Sequence, residues 1–128
     1  MTSSSSNFTR IIQRVKGLFC NSHTESQTIT AYKIAAKIGD ASAQYSLGNA
    51  YYFGEGVLKD YTQAVYWFQK AAEQGFPDAQ FNLGVVYYHR NGVSQDDNQA
   101  VYWFRKAAEQ GFPIAKKILK KVFGIKVK

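Results

Sequence analysis

The chain is poor in cysteine, proline, methionine and histidine, with one Cys, two Pro, one Met and two His in 128 residues. A lone cysteine, Cys20, excludes a disulfide framework within the chain and fits a reducing compartment. Cys20-x-x-His23 has metal-like spacing, but it offers two ligands where zinc takes three or four, and His89 lies far along the chain. Neither a metal nor a cofactor is expected. No run of 18 apolar residues exists to span a membrane. The N-terminal stretch IIQRVKGLFC is broken by Arg14 and Lys16, so it lacks a secretory core, and a cytoplasmic location is expected. Ser46 sits in no nucleophile elbow, and no oriented base accompanies His89. Gly54-Glu55-Gly56 reads as a helix-to-helix turn, not a phosphate-cradling loop. No enzymatic activity is expected.

What the chain does have is apolar and aromatic. Hydrophobic residues make up 45% and charged residues 20%, which is a globular balance, and the length suits one domain. Nine Tyr, nine Phe and two Trp must be buried or form a contact surface. The net charge of +7 is uneven. Residues 21–114 are nearly balanced, while residues 1–20 and 115–128 carry basic side chains and no acid.

The aromatics fall in a phrase spelled twice. Residues 64–77 read AVYWFQKAAEQGFP, and residues 100–113 repeat this with Arg105 in place of Gln69. A shift of 36 aligns residues 43–78 with 79–114 at 23 identical positions. Such a period marks a repeat architecture. The register extends backwards, with Gly39 on Gly75 and Tyr32 on Phe68, and forwards, with Ala115 on Ala79 and Leu119 on Leu83. The chain therefore divides into a degenerate unit 7–42, units 43–78 and 79–114, and a capping helix 115–128.

Each unit reads as two helices. Ala43, Leu47, Ala50 and Tyr51 share one face of a helix near 42–53. Asp60 and Gln63 form a capping-box-like start for the second helix, repeated by Asp96 and Gln99, with Thr24 and Gln27 in the degenerate unit. That helix stops at Gly75, a left-handed C-terminal position, and Pro77 suits the first turn of the next. Ala64, Phe68, Ala71 and Ala72 form its packing stripe, and Trp67 beside them should reach a neighbouring unit.

The pattern A-x-x-x-L-G-x-x-Y-x-x-G-x-G-V-x-x-D-x-x-x-A-x-x-W-F-x-K-A-A-x-x-G resembles the Sel-one-like repeat, a relative of the tetratricopeptide repeat. Residues 43–75 match throughout, and residues 79–111 depart once, where Arg90 replaces Gly54. If that position needs positive φ, Asn91 is expected to adopt it one residue later, giving a turn that differs in detail. The resemblance implies an all-α, right-handed solenoid of antiparallel helix pairs that binds a protein or peptide on its concave face. By analogy with tetratricopeptide repeats, the concave positions are Tyr45, Asn49 and Tyr52, then Phe81, Val85, Tyr88 and His89, then Lys117 and Lys121. The two lysines favour an acidic segment of the partner. Cysteine-rich relatives linked to penicillin binding or β-lactam hydrolysis carry paired cysteines, which this chain lacks.

Two segments admit other readings. The helix AKKILKKVFGIKVK is a solubilising cap or a basic patch for an anionic membrane or nucleic acid. Residues 2–20 are Ser-rich, basic and amphipathic, which fits a first capping helix or a transit peptide.

Overall fold

In a computed structural model, residues 25–126 are described, and they form six helices with no strand among them. These are α1 (Gln27–Lys37), α2 (Ala41–Phe53), α3 (Tyr61–Glu73), α4 (Pro77–His89), α5 (Asp97–Glu109) and α6 (Pro113–Phe123). The principal contacts run between helices consecutive in the chain, α1 with α2, α2 with α3, and on to α5 with α6. Such a one-dimensional stack is an α-solenoid, in which each unit is stabilised by its neighbours.

The expected helix ends form as their chemistry dictates. The Asp60 and Asp96 carboxylates accept from the Gln63 and Gln99 backbone N–H groups, both at 3.1 Å. Pro77 and Pro113 open α4 and α6, where the missing N–H costs no hydrogen bond. Gly75 follows α3 at φ +90°. The start of α1 differs from expectation. Its cap is Ser26, whose hydroxyl accepts from Ile29 N–H at 3.2 Å; Thr24 lies outside the described residues. Ser26 N–H also donates to the Gly56 carbonyl at 2.9 Å, tying this helix start to the α2–α3 turn.

The turn at Arg90 also corrects an expectation. Arg90 itself adopts φ +64°, matching Gly54 at +71°, and Asn91 does not take over. The backbone closes identically: Arg90 N–H reaches Val86 O as Gly54 N–H reaches Ala50 O. Asn91 is instead engaged by its side chain, which donates to the Tyr52 hydroxyl at 2.7 Å in the preceding unit.

Within each hairpin the two helices approach closely through a glycine. A Cβ added at Gly48 would lie 2.6 Å from the Phe68 ring, and one at Gly84 would lie 2.8 Å from Phe104. Both rings are buried, and both seat directly on bare helix backbone. The position 36 residues after Gly84 is Lys120, exposed on α6, so a ring cannot seat there in the same way.

Successive hairpins are joined by glutamines. Gln44 Nε2 donates to Ala36 O at 3.0 Å, and Gln74 Nε2 donates to Gln44 Oε1 at 2.8 Å. Gln80 donates to Ala72 O at 3.1 Å and accepts from Gln110 at 2.9 Å. Gln44 and Gln80 are buried polar residues, and each burial is compensated by these bonds. Lys116 occupies the next position in this series.

Tryptophan bridges the same junctions. Trp103 packs into the core around Ala64, Phe68, Ala79 and Leu83, and Trp67 packs partly buried against Ile29, Ala43 and Leu47. Each thus reaches back to earlier helices, as expected. The Trp103 Nε1–H is buried without a hydrogen-bond partner among the described residues.

Candidate binding groove

The first helices of successive hairpins, α2, α4 and α6, lie side by side, bridged by side chains. Asn82 Nδ2 donates to Asn49 Oδ1 at 3.0 Å, joining α4 to α2. The Asn91–Tyr52 bond adds a second link. Between α4 and α6, Tyr88 meets Phe123 edge-on at 5.8 Å.

A recess of about 300 Å³ opens between α2 and α4. Its walls are Tyr52 and Phe53 on one side and Phe81, Asn82 and Val85 on the other; Phe68 and Val86 also line it. It is apolar but for the Asn82 amide and the Tyr52 hydroxyl. Phe53 is 60% exposed, so a large apolar surface faces solvent at the rim. Ligand pockets span roughly 300–1,000 Å³; this recess sits at the small end and suits side chains of a partner more than a whole cofactor.

A second cavity, about 390 Å³, repeats this place one unit earlier. Tyr32, Ser46, Asn49 and Ala50 line it at the register positions of Phe68, Asn82, Val85 and Val86. Its other residues include Ser26, Thr28 and Glu55, so it is more polar. One unit later the same register places Lys117, Ile118, Lys121 and Val122 on α6, where both lysines are exposed. The two cavities thus differ, the earlier one polar with Glu55 and the middle one aromatic, and α6 carries lysines at the same register.

Of the residues expected to face a partner, Tyr52, Phe81 and Val85 come together in the middle recess. Asn49 lines the earlier cavity. Tyr88 is 37% exposed and stands edge-on to the exposed His89 at 5.1 Å. Tyr45 lines neither cavity; its ring packs 5.3 Å from Phe76 and 6.1 Å from Phe68. Phe81 both lines the recess and packs on Phe104 and Phe112. Phe53 and Asn82 join the expected groove residues here, Phe53 being a divergent first-helix position and Asn82 one the concave-face analogy does not include. The signal was present, because the two copies diverge there, with His89 opposite Phe53 and Ser46 opposite Asn82.

Chemistry elsewhere is sparse. Among the described residues no group of three or more His, Cys, Asp or Glu is placed to hold a metal, and Cys20 and His23 lie outside them. Lys33 donates to Glu25, and this bond raises the lysine pKa above its ordinary value, with burial opposing. No helix among the described residues is long and apolar enough to cross a membrane.

The stacked helix pairs, 36-residue period and side-chain-lined groove define a helical-repeat protein of the tetratricopeptide-like class. The Sel1 repeat family model matches residues 41–76 and 77–112, more than half of the chain, and the chain belongs to that family. Sel1-repeat proteins are generally protein-interaction scaffolds.

Solved structures agree. A protective antigen of uropathogenic Escherichia coli with the SLR fold is 41% identical, with a TM-score of 0.69 over 78% of this chain and 22% of that one. A Sel1 repeat protein from Oxalobacter formigenes is 41% identical, with a TM-score of 0.64 over 70% of this chain and 38% of that one. Cysteine-rich protein B of Helicobacter pylori is 30% identical, with a TM-score of 0.68 over 71% of this chain and 68% of that one. The chain thus spans well under half the length of the first two. Among curated proteins nothing matches it.

Proposed function

We propose that the protein is a non-catalytic interaction module that binds a segment of a partner protein along the α2–α4–α6 groove. The observation that carries this reading is the recess between α2 and α4, apolar and open to solvent, with the Asn82 amide in its wall. Tyrosine and phenylalanine on an open face provide apolar area, and amides provide hydrogen bonds to a peptide backbone. Asn49, Tyr52, Phe81, Val85, Tyr88 and His89 act as contact residues, and Lys117 and Lys121 draw an acidic stretch of the partner.

The test compares wild type with Asn49→Ala, Tyr88→Ala and Val85→Arg in affinity capture and mass spectrometry. Each variant is first checked by circular dichroism for an unchanged fold. A partner bound in the groove is weakened by these substitutions and retained by the wild type. If all three variants hold it equally well, the groove is not the binding surface.

A second reading rests on the four lysines exposed within 115–126, Lys117, Lys120, Lys121 and Lys126. They can attach the module to an anionic membrane or nucleic acid. Salt separates the two: attachment by charge collapses over a modest rise in ionic strength, whereas apolar contacts in the groove persist.

A further inference from the structure

We infer that Asn91, which does not line the groove, is the positioning residue of the recess between α2 and α4: its side chain fixes the Tyr52 ring as a wall of that recess and so sets how tightly a partner side chain is held. This rests on the groove reading above and adds a residue that acts on the ligand only through another.

The body and the tip of Tyr52 are held by different groups. Its ring centre lies 4.9 Å from Phe53, 5.1 Å from Tyr61 and 6.3 Å from Phe68. Tyr52 is only half-buried and Phe53 is exposed, so packing does not enclose the ring. Among the described residues its hydroxyl bonds to one side chain, the Asn91 amide, which donates to it at 2.7 Å.

Asn91 is itself delivered by a seated turn. Its backbone N–H donates to Val86 O at 3.1 Å, directly after the left-handed Arg90. Gly92, at φ +83°, follows it and rests on the first residue of α3. A Cβ at Gly92 would stand 2.7 Å from Tyr61 O and 2.8 Å from the Tyr61 carbonyl carbon, so the turn sits against backbone there. From this seat the amide reaches the α2 wall, while Asn91 contributes nothing to the lining of the recess.

Recurrence separates this bond from the contacts that stack the hairpins. The glycine–ring, glutamine and tryptophan contacts are made by both copies. The Asn91 position is Glu55 one unit earlier and Val127 one unit later, so the amide belongs to one junction alone. That junction is the one with the apolar recess; the earlier cavity, with Glu55, is polar. A wall ordered before the ligand arrives spares the cost of ordering it on binding.

The test pans a random twelve-residue display library on the full-length protein and keeps a peptide that does not bind Val85→Arg. Its fluorescein-labelled form is titrated by anisotropy against wild type, Asn91→Ala, Asn91→Asp, Tyr52→Phe and Asn91→Ala/Tyr52→Phe, each first shown to be folded by circular dichroism. Asn91→Leu, of similar shape without the donor, stands in should Asn91→Ala not fold. Asn91→Ala and Tyr52→Phe should each weaken binding roughly 2–10-fold. The double variant should bind no more weakly than Tyr52→Phe, because Asn91 acts through the hydroxyl. Asn91→Asp can accept from that hydroxyl and should bind within about 2-fold of wild type. Unchanged affinity in Asn91→Ala, losses that add in the double variant, or an Asn91→Asp as weak as Asn91→Ala would each overturn the positioning role and leave the groove standing. If no peptide separates wild type from Val85→Arg, the groove reading fails and the role of Asn91 with it.

Discussion

Replacing Gly84 by alanine should destabilise the protein, against the usual benefit of alanine in a helix. Alanine is favoured over glycine in a helix interior by about 1 kcal/mol. Here the added Cβ would stand 2.8 Å from two Phe104 ring atoms and 3.0 Å from a third. Carbon atoms prefer about 3.5–4.0 Å, so the ring must retreat by roughly 0.7 Å. Phe104 is 2% exposed and faces Phe81 and Phe123, so it has little space to retreat into. Overpacking of this kind costs about 1–3 kcal/mol. The net expectation is a loss of about 1 kcal/mol, or roughly 4 °C in Tm for a chain of this size. Gly48→Ala should lose more, because its Cβ would lie 2.6 Å from Phe68. Urea unfolding followed by circular dichroism measures both. In a Phe104→Leu background the effect of Gly84→Ala should change from a loss to a gain, a coupling of about 2 kcal/mol between the two sites. Two single variants each more stable than wild type would refute the close approach.

Other perturbations separate the contributions further. Trp103→Ala should cost about 3–5 kcal/mol and Trp67→Ala less, since Trp103 is 6% exposed and Trp67 only partly buried; equal losses in chemical denaturation would contradict the difference in packing. Gln80→Leu removes one of the bonds of Ala72 O, which keeps Gly75 N–H, and one of Gln110, which keeps Gly75 O, and should lose about 1 kcal/mol, whereas Gln69→Leu, which loses an exposed bond to Glu73, should change the urea midpoint little. Arg90→Gly should stabilise by up to about 1 kcal/mol by relieving a left-handed backbone, and a fall in Tm would show that the arginine side chain holds the turn.

The helices, the aspartate caps and the period were legible because they depend on short spacings, whereas the Ser26 cap of α1 was not. An aspartate three residues before a glutamine, or a glycine two residues before a proline, carries its own local chemistry. The Arg90 turn was not legible in that way. Asn91 tolerates positive φ, but its amide is committed to a tyrosine 39 residues earlier, and a bond of that reach leaves no local trace. The glutamines are similar. Gln44 and Gln80 are identical in the two copies, yet a polar residue on an apolar face looks solvent-exposed until its carbonyl partner is known. The groove was legible in outline from the divergence of the first helices. Which divergent residues meet in one recess, and which, like Tyr45, fill a gap between packed rings, depended on how adjacent hairpins are set against each other.

Each hairpin closes on the same glycine–ring contact and meets its neighbours through the same glutamine and tryptophan contacts. An extra 36-residue copy inserted after Phe76 would find native partners on both of its sides. A copy appended beyond α6 would meet Lys120 where a ring needs glycine, and Lys116 where a clamp needs glutamine. The array is therefore built to lengthen from within. Gene duplication in its interior would repeat the recess between α2 and α4 one unit at a time.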